Sequence, residues 1–263
     1  MHSLIELQNF PILHSQYIFP IHFVFLRKLI VATTKKSKDN SNGQISMSGE
    51  LTRKIIHITS LSIPIGYYYL SYSTALWILI PFTLFALFID YGRYYIPPID
   101  KFVNKVFGPI LREHERDSKK KLLSGGSYVL ISACLCIIIF PKVIAITAFS
   151  ILIISDTASA LLGRRFGKHD FLDKSLEGTI AFIVSACIVV AIAPKVSGLW
   201  HEYMIGFIAA FAGGIIEAMS VRLKVDDNFS VPISVGIIMW LGYFLLSLVT
   251  PSVFEPLYRA LVK

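Results

Sequence analysis

Residues 143–162, VIAITAFSILIISDTASALL, are apolar or small except for one charge, Asp156, and they run directly into Gly163-Arg-Arg-Phe-Gly-Lys-His169. At the helical rise per residue the stretch covers about 30 Å, the thickness of a bilayer's hydrocarbon. It therefore reads as a membrane helix carrying a carboxylate. The apolar run is continuous and lacks strand-length alternation, which argues against a β-barrel.

Similar stretches flank it. Expected spans are 55–71, 74–90, 123–141, 143–162, 179–194, 199–220 and 232–250, in a chain of 263 residues that is 54% hydrophobic and only 16% charged. The fold class is all-α: a polytopic integral membrane protein with about seven transmembrane helices. Of the 25 Lys and Arg, seven fall in 27–54, eight in 90–122, four in 163–178 and two in 221–231, whereas the intervening loops carry only Lys142 and Lys195. The positive-inside rule puts the basic segments in the cytoplasm and the C-terminus outside. The net charge of +8 is thus mainly a topology signal. It suits anionic headgroups and phosphates, and a nucleic-acid partner is not expected because the charge is divided among separate loops.

Residues 1–50 form an N-terminal interfacial segment and flexible linker, and 51–263 a membrane-embedded catalytic domain. Phe10–Ile30 is aromatic and apolar but broken by His14, Pro20 and His22, so an interfacial or re-entrant helix is expected, with an eighth crossing as the other reading. No basic region precedes it as in a signal peptide. Cys134, Cys136 and Cys187 lack CxxC spacing and read as buried thiols. Arg112-Glu-His-Glu-Arg-Asp117 has no second histidine to complete HExxH, so a zinc hydrolase is unsupported. Its mixed signs suit an amphipathic surface helix.

Under this topology His57, Asp90, Asp156 and Glu217 all fall in the cytoplasmic halves of their spans, with Asp156 about 10 Å from its span's inner end. A lone carboxylate at that depth must be paired, protonated or bound to metal. Asp156 therefore reads as a metal ligand, with an ion pair to Arg164 or Arg165 as the plain alternative. Gly163 and Gly167 would let backbone amides turn toward an anion, and Arg164, Arg165, Lys168 and His169 would neutralise it. The loop matches neither a Walker A sequence nor a dinucleotide fingerprint. Lys174-Ser175 and Glu177-Gly178 stand at the start of the next span, where helix amides favour anions. Ser175 capping the helix and Glu177 complementing its dipole are the modest readings. Glu217 follows Gly213-Gly214 and reads as metal ligand, base or partner of Arg222. Asp226-Asp227-Asn228 offers a further metal contact or a solvated turn before Pro232.

Together, Ser155-Asp156-Thr157-Ala158, GRRFGKH, KSLEGT (174–179), Glu217 and DNFSVP (227–232) resemble the membrane family of dolichol kinase, phytol kinase and the CTP-dependent diacylglycerol kinase, itself related to phosphatidate cytidylyltransferases. Arg53-Lys54-Ile-Ile-His57 resembles that family's RKxxH element, and the likeness covers roughly 51–250. The resemblance implies CTP as nucleoside triphosphate donor, Mg²⁺ or another divalent cation, and a polyprenol-like or other lipid alcohol as acceptor drawn from the membrane lipids. It implies catalytic roles for Asp156, Lys174, Glu217 and His57, and metal ligation by Asp156, Glu217 and Asp227. Nucleotide binding falls to Arg53, Lys54, Gly163, Arg164, Gly167, Lys168, His169, Ser175, Glu177, Gly178 and Asn228. Cytidylyltransferases carry a DRxD ending where this chain has DNFSVP, which favours phosphoryl transfer over cytidylyl transfer. A phosphatidate cytidylyltransferase making CDP-diacylglycerol and a membrane transporter are the other readings. The expected location is a plasma, inner or endoplasmic reticulum membrane, with the site toward the cytoplasm.

Overall fold

A computed structural model describes residues 47–108, 111 and 122–249. The Phe10–Ile30 segment, most of the linker before Met47, the Arg112–Asp117 run and the chain beyond Val249 lie outside the described residues. The helices are α1 (Met47–Thr59), α2 (Ser62–Tyr69), α3 (Tyr72–Gly92), α4 (Pro97–Phe107), α5 (Gly125–Ile139) and α6 (Lys142–Phe166). A two-stranded hairpin, β1 (Asp170–Phe171) and β2 (Lys174–Ser175), precedes α7 (Leu176–Ile192), α8 (Trp200–Ala218), α9 (Ser220–Leu223) and α10 (Asp227–Val249). The molecule is an all-α membrane protein. By length and composition α3, α6 and α10 can cross a bilayer, and α5 and α7 are shorter apolar helices.

Serines start several of these helices. Ser71, Ser124 and Ser175 each present a hydroxyl oxygen that accepts the amide of the third residue on, at 3.1, 3.5 and 3.2 Å. These caps satisfy amides that have no intrahelical partner. The expected span 55–71 is not one helix: it breaks between Thr59 and Ser62. Pro64 explains the break, because it has no N–H to offer the Ser60 carbonyl and its ring crowds that oxygen. Residues 163–166, expected as loop, continue α6 to Phe166, which sets Asp156 roughly 15 Å from the helix end rather than 10 Å. The last span starts early, at Asp227, and Pro232 lies within α10.

Helix α6 is the axis of the bundle, packed against α1, α2, α5, α7 and α10. Buried residues make up 72% of its apolar stretch, against 17% for α3 and 33% for α10. The outer helices instead expose rows of large apolar side chains, such as Trp77, Phe82, Phe85 and Phe88 on α3 and Trp240, Phe244 and Leu248 on α10. Those rows are the lipid-facing surface. Because lipid tails are as apolar as the core, helix association here rests on close packing at small residues. At the α6–α7 crossing a Cβ added to Gly163 would lie 3.1 Å from the Gly178 Cα and 2.9 Å from the Ser175 Oγ. Helix α4 is amphipathic: Ile99, Phe102, Val103 and Val106 share one face, and Asp100, Lys101, Asn104 and Lys105 the other.

Candidate active site

Asp156 lies at the centre of the bundle, on the face of α6 that it shares with Ser159 and Gly163 through helical spacing. Its carboxylate is buried and its partner comes from α1. The Lys54 ammonium donates to Asp156 Oδ2 at 2.5 Å and to the Asp156 carbonyl at 3.2 Å. His57 Nε2, one turn further along α1, is 3.5 Å from the same Oδ2 and has no hydrogen-bond partner among the described residues. Neither Arg164 nor Arg165 forms the ion pair that the sequence offered as the alternative. Arg164 approaches Glu50 at 3.8 Å, and Arg165 lies over the Phe166 ring. Arg53 also bonds Glu50, at 2.6 Å, so α1 contributes Glu50, Arg53, Lys54 and His57 from adjacent turns.

Two further carboxylates meet Asp156. Ligand oxygens of Asp156, Glu217 and Asp227 all lie within 4.8 Å of one another, and all three residues are buried. Glu217, near the end of α8, accepts a 3.0 Å hydrogen bond from Ser159 through Oε1, while its buried Oε2 has no partner among the described residues. Arg222, the alternative partner expected for it, turns away and bonds Asp173 at 2.8 Å. Three buried carboxylates with an unsatisfied oxygen among them form an oxygen-donor set that could hold a divalent cation.

Lys174 closes this cluster. Its ammonium donates to Glu217 Oε1 and, at 3.1 Å, to Asp227 Oδ2. Burial alone would lower its proton affinity, but the carboxylates of Asp227, Glu217 and Asp156 outweigh that effect and hold it above the ordinary lysine value. The hairpin puts Lys174 there. Its turn residue Leu172 adopts a left-handed φ of 56°, a conformation costing roughly 1–2 kcal/mol for a side chain of this kind. The Arg222 side chain and amide grip the Asp173 carboxylate, each at 2.8 Å, and the Asp173 amide donates to the Ala218 carbonyl at 3.0 Å. The tight turn is thereby fastened to the corner between α8 and α9.

The remaining expected residues are distributed around this centre. Gly163, Ser175 and Gly178 sit in the α6–α7 contact, where Ser175 also caps α7. Gly167 packs against Ser175 and donates its amide to the Gly163 carbonyl at 2.8 Å. The amides of Lys168 and His169 turn toward an anion, and that anion is Glu177: Oε2 accepts both at 3.1 and 3.4 Å, and Oε1 is 2.7 Å from His169 Nδ1. Asn228 is buried and donates to Asp226 Oδ1 through both its amide and its side chain. Pro232 deprives the Asn228 carbonyl of its amide donor four residues on. Asp90, expected at the same depth as Asp156, does not join the acidic cluster. It accepts from the Ser124 amide at 2.6 Å and Ser127 Oγ at 2.8 Å, and so anchors the start of α5.

Sequence reasoning did not single out Glu50, Ser159, Asp173 or Glu202. Glu50 and Ser159 were detectable as helical-spacing neighbours of Lys54 and Asp156. Asp173 gave no local signal, because its role depends on a contact 49 residues away. Glu202 is fully buried at the opposite end of the bundle, where it accepts from the Val196 and Ser197 amides and the Tyr243 hydroxyl.

No family model and no solved structure matches the chain. An uncharacterized protein of Rickettsia prowazekii is 32% identical over 185 residues, 70% of this chain and 90% of the relative. An uncharacterized protein of Methanocaldococcus jannaschii is 26% identical over 151 residues, 56% of this chain and 69% of that protein. The CTP-dependent diacylglycerol kinase 1 of Schizosaccharomyces pombe is 30% identical over 169 residues, 58% of this chain and 73% of the kinase. With that identity across more than two thirds of the kinase, the chain belongs to the CTP-dependent diacylglycerol kinase family.

Proposed function

We propose that this protein is a CTP-dependent lipid kinase that transfers the terminal phosphoryl group of CTP to the hydroxyl of a membrane lipid alcohol. The observation that carries the reading is the buried cluster of Asp156, Glu217 and Asp227, with one unpartnered carboxylate oxygen and Lys174 at its edge. Asp156, Glu217 and Asp227 would hold a divalent cation, which when bound supplies positive charge to the triphosphate and to the transferring group. Lys54 fixes Asp156 from behind, so the carboxylate need not reorganise when a ligand arrives.

The acceptor oxygen bonds to the γ-phosphorus as the bond from that phosphorus to the β–γ bridging oxygen breaks, and CDP leaves with the electron pair. We assign the hydroxyl proton to His57, whose buried Nε2 has no hydrogen-bond partner. Lys174, with the side chains of Lys168 and His169 at the exposed edge, would stabilise the phosphate oxygens. The lipid tail stays among the exposed apolar faces of the outer helices while its hydroxyl enters the site. By the positive-inside rule that site faces the cytoplasm.

Purified protein in lipid nanodiscs should move label from γ-labelled CTP, and not from α-labelled CTP, onto lipid. Diacylglycerol, the acceptor named for the fission yeast relative, and a polyprenol are the two acceptors to compare. Transfer of the α-label to phosphatidate would instead identify a cytidylyltransferase, and absence of either transfer would overturn the kinase assignment.

A further inference from the structure

The Lys174 ammonium sits where a cation belongs. It bonds oxygens of two of the three clustered acids, Glu217 and Asp227, and the third, Asp156, is neutralised from the other side by Lys54. The two lysines are not equivalent. The Lys54 side chain is 2% exposed and shut into the bundle, whereas that of Lys174 is 26% exposed, at the mouth of the cluster. The backbone of Lys174 is fixed by the β1–β2 hairpin and its Arg222–Asp173 clamp, so only its flexible four-carbon side chain has freedom to swing.

We infer that Lys174 is a tethered counter-ion that occupies the cation position and keeps divalent metal out until a polyphosphate draws the ammonium away. Two like charges cannot share these oxygens at contact distance, because a buried site screens their repulsion poorly. Metal binding therefore requires that the ammonium leave, and an incoming polyphosphate offers it new oxygens. The unpartnered Glu217 Oε2 marks the acceptor that the lysine leaves unsatisfied and that a metal would use. Metal and nucleotide consequently bind together, and the bare protein holds metal weakly. This inference rests on the kinase reading only for the identity of the polyphosphate. The exclusion of metal by Lys174 stands or falls without it.

The test measures Mn²⁺ binding, by electron paramagnetic resonance of the unbound ion, to the full chain in nanodiscs without nucleotide. Lys174→Met should bind Mn²⁺ at least about tenfold more tightly than the unsubstituted protein. Lys174→Arg keeps the charge and should bind as weakly as the unsubstituted protein. Lys168→Met removes an equal charge from the neighbouring loop, and it should change the affinity less than about twofold. If Lys174→Met leaves the affinity unchanged or weaker, or if Lys168→Met tightens it equally, the exclusion is overturned. Lys174→Gln repeats the measurement should the Met variant fail to fold. Tighter Mn²⁺ binding in Lys174→Met together with no phosphoryl transfer by the unsubstituted protein would sink the kinase assignment while leaving the exclusion intact.

Discussion

Replacing Lys54 with Met tests the most consequential contact in the bundle. The ammonium and the Asp156 carboxylate are 2.5 Å apart, and the side chains are 2% and 7% exposed. At an effective dielectric of about 20 their attraction is roughly 7 kcal/mol. Desolvating each ion costs several kcal/mol, so the intact pair contributes little net stability. Removing one partner is different, because the surviving charge keeps its desolvation penalty without compensation. Lys54→Met and Asp156→Leu should each destabilise by about 3–5 kcal/mol, whereas the double variant, with two apolar side chains of similar bulk, should lose far less than the sum. Equilibrium unfolding in mixed detergent micelles, followed by circular dichroism, gives all four corners of the cycle. Losses that add to within about 0.5 kcal/mol would refute the pairing, as would a Lys54→Met variant destabilised by less than about 1 kcal/mol.

Asp156→Asn removes one negative ligand at nearly constant volume and should lower turnover at least about 100-fold while the protein still inserts in membranes. Near-normal turnover at saturating Mg²⁺ would exclude a metal-holding role. Gly163→Val should lower unfolding stability by about 1–3 kcal/mol, because even the first added carbon meets the Gly178 backbone at 3.1 Å; an unchanged melting curve would refute close packing at this crossing. Reporters fused after residues 170 and 226 should score cytoplasmic and one near 197 external, and a cytoplasmic score at 197 would break the seven-span topology.

The sequence made the helical membrane character legible because it depends on length and composition, which act over whole segments. The break near Ser60 was missed although its cause, Pro64, is local, because the surrounding run is apolar on both sides of it. The basic loop was misjudged for a different reason. Gly163 was read as a turn residue, yet within a bundle a glycine is equally a contact residue, and only the partner Gly178 on α7 decides between the two. The pairing of Lys54 with Asp156 spans 102 residues. Helical spacing placed Lys54 and His57 on adjacent turns, but which helix they would face was not encoded locally. Asp90 shows the converse error: it was grouped with Asp156 by its position in the span, but the Ser124 amide and the Ser127 hydroxyl at the start of α5 claim its carboxylate.

The two lysines of the cluster divide one electrostatic problem. Three carboxylates gathered within a few ångströms in a membrane bundle repel one another, and without compensation the site would protonate or open. Lys54 gives permanent compensation, since its stem is enclosed by the bundle and it bonds both the side chain and the carbonyl of Asp156. Lys174 gives conditional compensation from the rim, on a hairpin whose strain at Leu172 is offset by the Arg222 clamp. If both lysines were enclosed, no vacancy for a metal would ever arise; if neither were present, the nucleotide-free site would be unstable. The difference in exposure between Lys54 and Lys174 thus lets one cluster remain folded when empty and open a cation vacancy when a polyphosphate draws Lys174 away.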